Sequence, residues 1–264
     1  LANWVVTSKD LYLLVKMLGG KVLIGITNPF PFYQEDELEE EWESMFKKLN
    51  TMGLVNYIQG ELKFKDEFIQ AMWVLARSNL VAEIVTDHNE QSIFYFSDDR
   101  VIECLKENEM SYKVIQHPSP DYTMKQIILP RMLMGIEDRS VRLNDPLYLI
   151  PSDYDNYCVH RSIHNVNQIA INNDIDSDSL LVKQFSRSIQ RKIYTNRLMV
   201  FYGSELKWNI EGVHVLSSPS YNWTLRMVNE DGIEWLNARQ ATGELLVQEI
   251  AGVFERVKGK LAVN

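Results

Sequence analysis

Two histidines, His160 and His164, stand four residues apart. On a continuous helix that spacing puts both imidazoles on one face, where they can clamp zinc. Cys158 and Asp155 lie nearby in the sequence, but Arg161-Ser162-Ile163 between the histidines lacks the glutamate of a metalloprotease helix. No other histidine-rich cluster offers a third ligand, so the expectation is two ordinary histidines on a half-exposed helix and no metal. Asp174, Asp176 and Asp178 imitate the start of a calcium loop. Such a loop needs glycine sixth and a bidentate glutamate twelfth, and those positions hold Ser179 and Phe185. The three acids read as a capping segment before a helix that starts near Leu180. Cys104 and Cys158 form no CxxC pair and read as reduced thiols, Cys104 in a strand core. No serine sits in GxSxG, and neither GxxxxGK[ST] nor GxGxxG occurs. The pair Asp98-Asp99 falls in an expected turn, where solvent should leave both carboxylates unperturbed. Catalysis therefore has no anchor in the sequence, and no cofactor is expected.

The whole chain sets the frame for these residues. Its 264 residues, 45% of them hydrophobic, suffice for one large domain or two small ones with a substantial core. A net charge of −9 argues against a nucleic-acid partner, which usually demands a basic stripe. The opening LANWVVTSKD lacks the basic start and long apolar run of a signal peptide. It begins at Leu1 rather than Met, which points to a few residues missing before it. No apolar stretch approaches the ~18 residues of a membrane span. A cytoplasmic protein without membrane insertion is the expectation.

Local signals order the elements. Ser8 is read as the cap of a helix carrying Leu11, Leu14, Val15 and Leu18, stopped by Gly19-Gly20. A second helix is expected from about Gln34 to Met52. The acids from Glu35 to Glu43 lie in its first turns, read as a solvated face at the favourable end of the dipole, or alternatively as an acidic docking patch. Tyr57 to Phe64 reads as a hairpin around Gly60, and Asp66 as the cap of a third helix. Four strands with short polar connections, Val81–Thr86, Ser92–Ser97, Val101–Leu105 and Ser111–Gln116, make an antiparallel meander. His117-Pro118-Ser119-Pro120 is a rigid break. Helices are then expected over Tyr122–Leu133, ended or kinked by Pro130, from Ser152 or Asp153 to about Ile171, and from a cap at Ser179 or Asp178 to near Tyr194, with a short apolar run at Leu147–Ile150. Five strands follow: Leu198–Tyr202, Leu206–Ile210, Val213–Leu216, Trp223–Val228 and Ile233–Ala238. Asp231-Gly232 closes the last two into a hairpin, and Thr242 caps a final helix with Leu246, Ile250, Val253 and Val257 on its apolar stripe.

Each half thus runs from helices to a meander. The fold class read from this order is α+β: a central antiparallel sheet flanked by two helical bundles, with pseudo-repeat halves 1–118 and 119–264 in a pseudo-two-fold arrangement within one 264-residue domain. Aromatics crowd the second meander, and an antiparallel sheet usually buries one face better than the other. Tyr202, Trp208, Tyr221, Trp223 and Arg226 are the candidate partner-binding residues, of types that favour interfaces, although some of these aromatics will be core.

The opening helix Ser8–Leu14 followed by Met17-Leu18-Gly19, the helix ends at Leu49…Gly53-Leu54 and Leu75-Ala76-Arg77, and the closing hairpin with Asp231-Gly232…Trp235 resemble the EspG-like family of type VII (ESX) secretion chaperones. The resemblance covers nearly the whole chain. It implies a non-enzymatic cytosolic chaperone that covers the apolar tip of a helical-hairpin secretion substrate and keeps it export-competent. Abundant Asn, Ile, Lys and Tyr, where the mycobacterial members favour Ala and Arg, point to a divergent Firmicutes-type member. The client is then of the WXG or LXG type or PE/PPE-like, and a homodimer stays open. Two alternatives stand beside this reading: an immunity-type or regulatory protein-binding module, and an unrecognised enzyme.

Overall fold

The structure is a computed structural model. It describes residues 2–20, 22–32, 38–59, 61–88, 90–143, 145–204 and 207–261. The fold is α+β. Ten strands form one sheet in the order β1-β7-β6-β5-β4-β9-β10-β11-β12-β8, and each pair with described register is antiparallel. The chain forms two compact units that interleave in sequence. The first holds residues 1–83, 91–124 and 201–209; the second holds 84–90, 125–200 and 210–264.

In the first unit, β1 (Asn3–Thr7) pairs with β7 (Ser111–His117). The sequence reading missed β1 because only Trp4 and Val6 of its five residues turn inward. It also misplaced the cap of α1 (Ser8–Met17): Thr7, not Ser8, accepts from the Asp10 amide while the Asp10 carboxylate accepts from the Thr7 amide, a reciprocal capping box. Helix α2 (Glu39–Thr51) carries Met45 and Leu49 inward; the expected start at Gln34, with Glu35, Asp36 and Glu37, lies outside the described residues. The hairpin β2–β3 (Val55–Ile58, Glu61–Phe64) leads to α3 (Asp66–Arg77), whose N-cap position is Lys65, without a side-chain capping bond, rather than the expected Asp66. The meander forms as β4 (Leu80–Val85), β5 (Gln91–Phe96), β6 (Val101–Lys106) and β7. Leu11, Leu14 and Val15 of α1, with Phe68, Met72 and Leu75 of α3, meet Ile93, Tyr95, Ile102 and Cys104 from alternate strand positions in one core. Trp4 meets Phe68 edge to face, with ring centroids 5.4 Å apart.

The helix expected over Tyr122–Leu133 is built in three pieces: α4 (Pro120–Thr123), a π-helical turn (Met124–Ile128) and α5 (Leu129–Leu133). The wide turn lies just ahead of Pro130, whose ring has no room over a regular preceding turn. In the second unit β8 (Leu147–Leu149) pairs with β12 and precedes α6 (Pro151–His160). The single helix expected through Ile171 is broken here: Arg161 is left-handed (φ 49°), and α7 (Val166–Asn172) starts afresh. Ser179 caps α8 (Leu180–Gln190) by accepting from the Val182 amide. Strand β9 (Tyr194–Ser204) is followed by β10 (Lys207–Ser217), one long strand where two were expected. Gly212 sits at the expected gap. A Cβ there would lie 2.7 Å from Met199 Sδ, so glycine marks a close approach of chains rather than a break. Strands β11 (Asn222–Glu230) and β12 (Ile233–Gln240) turn at Asp231 and Gly232, φ 53° and 82°, as a primed hairpin turn requires. Helix α9 (Gly243–Leu261) buries Leu246, Ile250, Val253, Phe254 and Val257.

Candidate functional site

The β11–β12 hairpin presents two faces of opposite character. Its register pairs Trp223 with Gln240, Leu225 with Ala238, and Met227 with Leu236 on one side. Trp223, Leu225, Leu236 and Ala238 are buried there against Tyr154 and Tyr157 of α6, Ile169 of α7, and Phe185 and Ile189 of α8. The other side pairs Arg226 with Asn237, Val228 with Trp235, and Glu230 with Ile233. At its inner end Arg226, Thr224, Asn237 and Arg239 meet Glu249 of α9 around a small polar pocket of about 110 Å3. Further out, Ile233 is 54% exposed, while Val228 and Trp235 are half-buried. Tyr148 of β8, opposite Asn237, stands edge-on to Trp235 at 6.4 Å. A guanidinium, two aromatics and two branched aliphatics thus share one partly open face, the composition typical of interface anchors.

The five expected binding residues differ in their surroundings. Tyr202 and Trp208 belong to the first unit; Tyr221, Trp223 and Arg226 belong to the second. Trp223 is core: it is fully buried, donates from its indole to Ser188 Oγ at 2.9 Å, and meets Phe185 edge to face. Tyr202 is buried on β9. Trp208 packs partly buried on the first unit's core, with its indole N–H making no hydrogen bond. Tyr221 is half-buried in the turn between β10 and β11, at the opposite end of β11 from Asp231-Gly232, where its amide donates to Ser218 Oγ. Arg226 alone lies on the open hairpin face. Trp235, Val228 and Tyr148 were absent from the expected set. The period-2 pattern carries them on the same face as Arg226, and only the register joins the three strands.

The catalytic and metal candidates separate. His160 ends α6 and His164 lies beyond the Arg161 break, so the shared helix face does not exist, although their rings meet edge-on at 5.7 Å. Among the described residues no group of three His, Cys, Asp or Glu side chains is placed to hold a metal ion. Asp178 pairs with Lys183 at 3.0 Å, and its amide donates to Asp176 Oδ1, so the acids serve the turn ahead of α8. Burial raises the pKa of both thiols, so neither is an activated thiolate. Asp99 departs from expectation: hydrogen bonds from the adjacent Arg100 guanidinium lower its pKa although it is exposed. Among the described residues no helix is long and apolar enough to cross a membrane.

No family model and no curated relative matches the chain. Among solved structures, it is similar to the type VII secretion system chaperone EspG5 of Mycobacterium tuberculosis, seen in complex with a PE25–PPE41 dimer. The TM-score is 0.62 at 9% identity, and the match covers 97% of each chain. The likeness is therefore one of fold, extending over nearly the whole of both chains at very low sequence identity.

Proposed function

We propose that this protein is a non-enzymatic cytoplasmic chaperone of type VII secretion that covers the apolar tip of a helical-hairpin client before export. The observation that carries this reading is the end-to-end likeness to EspG5, a chaperone whose structure includes its bound PE25–PPE41 dimer. The open face of the hairpin supports it physically. A helical tip needs a platform that is apolar enough to mask it and polar enough to stay soluble when empty. Arg226, Val228, Ile233, Trp235 and Tyr148 have that mixture, and we place the docking surface there. Of the other expected residues, Tyr221 and Trp208 retain surface for secondary contacts, whereas Tyr202 and Trp223 act through the core. The client is a WXG-, LXG- or PE/PPE-like helical hairpin.

Capture of the client from native cytosol, followed by titration against single variants, tests this. Trp235→Ala and Arg226→Ala, each with the wild-type melting temperature, are expected to weaken binding ~30-fold, since a truncated interface anchor typically loses more than ~2 kcal/mol. Normal binding by both variants, with loss on charge reversal of Glu39, Glu40 and Glu41, would move the interface to the start of α2. A captured toxin that is inactivated, rather than kept soluble, would favour the immunity-type reading.

A further inference from the structure

The second unit contains a pocket of about 420 Å3 lined by none of the residues of the proposed docking face. All its lining residues belong to that unit. The pocket holds polar atoms with too little to bind. Thr86 is 8% exposed and its hydroxyl makes no hydrogen bond. Tyr154 is 2% exposed; its hydroxyl has no oxygen or nitrogen partner and faces only the Cys158 thiol, a weak acceptor. Arg197 Nε is buried without a hydrogen bond, and no carboxylate among the described residues pairs with that guanidinium. Native proteins satisfy nearly all buried polar atoms, so three such groups around one pocket are placed to take partners from a ligand or ordered water.

The charges select the ligand. Lys192 and Asp87 neutralise each other at 3.0 Å, and Thr195 donates to the same Asp87 oxygen at 2.6 Å. Burial, and secondarily Arg197, lower the His214 pKa to about 4, so that ring is uncharged near neutrality. Asp155 is exposed. With Lys192 paired to Asp87, Arg197 is the lining cation left without a carboxylate partner among the described residues, beside two hydroxyls without an oxygen or nitrogen partner. This suits a singly charged planar anion better than a dianion, because guanidinium forks match carboxylate geometry. The Tyr154 ring, Val85 and Val159 add apolar wall. The volume falls near the lower end of small-ligand sites.

We propose that this pocket binds a small organic monocarboxylate, with its carboxylate held by Arg197, Thr86 and Tyr154 and its apolar part against Val85 and the Tyr154 ring. The site goes beyond the chaperone reading and is tested without any client. Benzoate and, separately, inorganic phosphate are titrated into the full chain while the His214 ring resonances and the melting temperature are followed. The expected result is a saturable benzoate response below ~1 mM with a raised melting temperature, and phosphate binding at least ~10-fold weaker. Arg197→Gln should abolish the response. The isosteric Thr86→Val, and Tyr154→Phe, keep the test open if the arginine variant does not fold. Each should weaken benzoate ~5-fold or more while leaving the ligand-free melting temperature unchanged or raised, since each removes an unsatisfied buried hydroxyl. The proposal is overturned if benzoate gives no saturable shift up to ~10 mM, if phosphate binds as tightly, or if the hydroxyl variants bind like wild type. A lowered ligand-free melting temperature in both hydroxyl variants would likewise overturn it, by making those hydroxyls structural.

Discussion

At the residue scale, the buried polar groups make the sharpest statements about stability. Trp223 donates to Ser188 Oγ at 2.9 Å, and Ser188 in turn donates to the Gln184 carbonyl at 3.0 Å. Ser188→Ala would strand the indole N–H in a fully buried site, at a cost of about 1–3 kcal/mol by urea denaturation. In a Trp223→Phe background the same change should cost less, because the stranded donor is gone; equal costs would show that the pair is uncoupled. His214 gives a pH signature. Its folded pKa is about 4 against an ordinary 6.5, so between those values the unfolded chain binds the extra proton. This contribution is fully present above pH 6.5 and is lost as pH falls towards 4, by at most on the order of 3 kcal/mol. A His214→Leu variant should flatten the pH dependence of stability across that window; an unchanged slope would assign it to other groups. Residue types alone left the fates of the tryptophans open. Trp223 and Trp235 lie on the same hairpin in sequence, yet their partners across β12 and the helices put one in the core and the other at a partly open face.

At the element scale, the end of the sheet shows how an exposed strand is protected. Strand β8 is last in the strand order, and the Asn173 amide seals it: the Tyr148 N–H donates to Asn173 Oδ1 at 2.6 Å, and Asn173 Nδ2 donates to the Tyr148 carbonyl at 2.9 Å. Asn173→Ala should expose both groups. Hydrogen exchange at the Tyr148 amide is then expected to speed up ~10-fold or more, with greater concentration-dependent association; unchanged exchange would mean that α7 shields the edge by itself. The elements that could be read in advance were those with local causes. Asp231-Gly232 dictated its turn, Ser179 its helix start, and the polar loops of the first meander its antiparallel pairing. The errors came where causes are distant. Nothing local announces that β1 has a partner over a hundred residues away, that the chain passes Gly212 without a break, or that α6 stops at a left-handed Arg161. The proposed docking face was likewise not legible in advance as one surface, because it joins β8 to β11 and β12 through register.

At the scale of the whole molecule, the central question is whether a chain of two interleaved units behaves as one. The first unit is incomplete without residues 201–209, which lie far along the sequence, and Phe201 and Trp208 pack on its core. The second unit likewise takes in residues 84–90, the end of β4 and the connection to β5. A fragment ending at Pro118 therefore lacks an apolar wall of its own unit. Phe201 and Trp208 are partly buried, so each is worth less than the about 3–5 kcal/mol of a fully buried aromatic, but a small domain has only about 5–15 kcal/mol in total. The fragment 1–118 should then be unfolded or molten in isolation, even though the Pro-rich break after His117 looks like a boundary. The full chain is expected to unfold in a single cooperative transition, coincident by tryptophan fluorescence and far-ultraviolet circular dichroism. Such behaviour would suit the proposed chaperone role, in which a platform must not open piecemeal and expose its own core. Two separated transitions, together with a folded and soluble 1–118 fragment, would show that the halves are independent domains and that Phe201 and Trp208 are dispensable to the first.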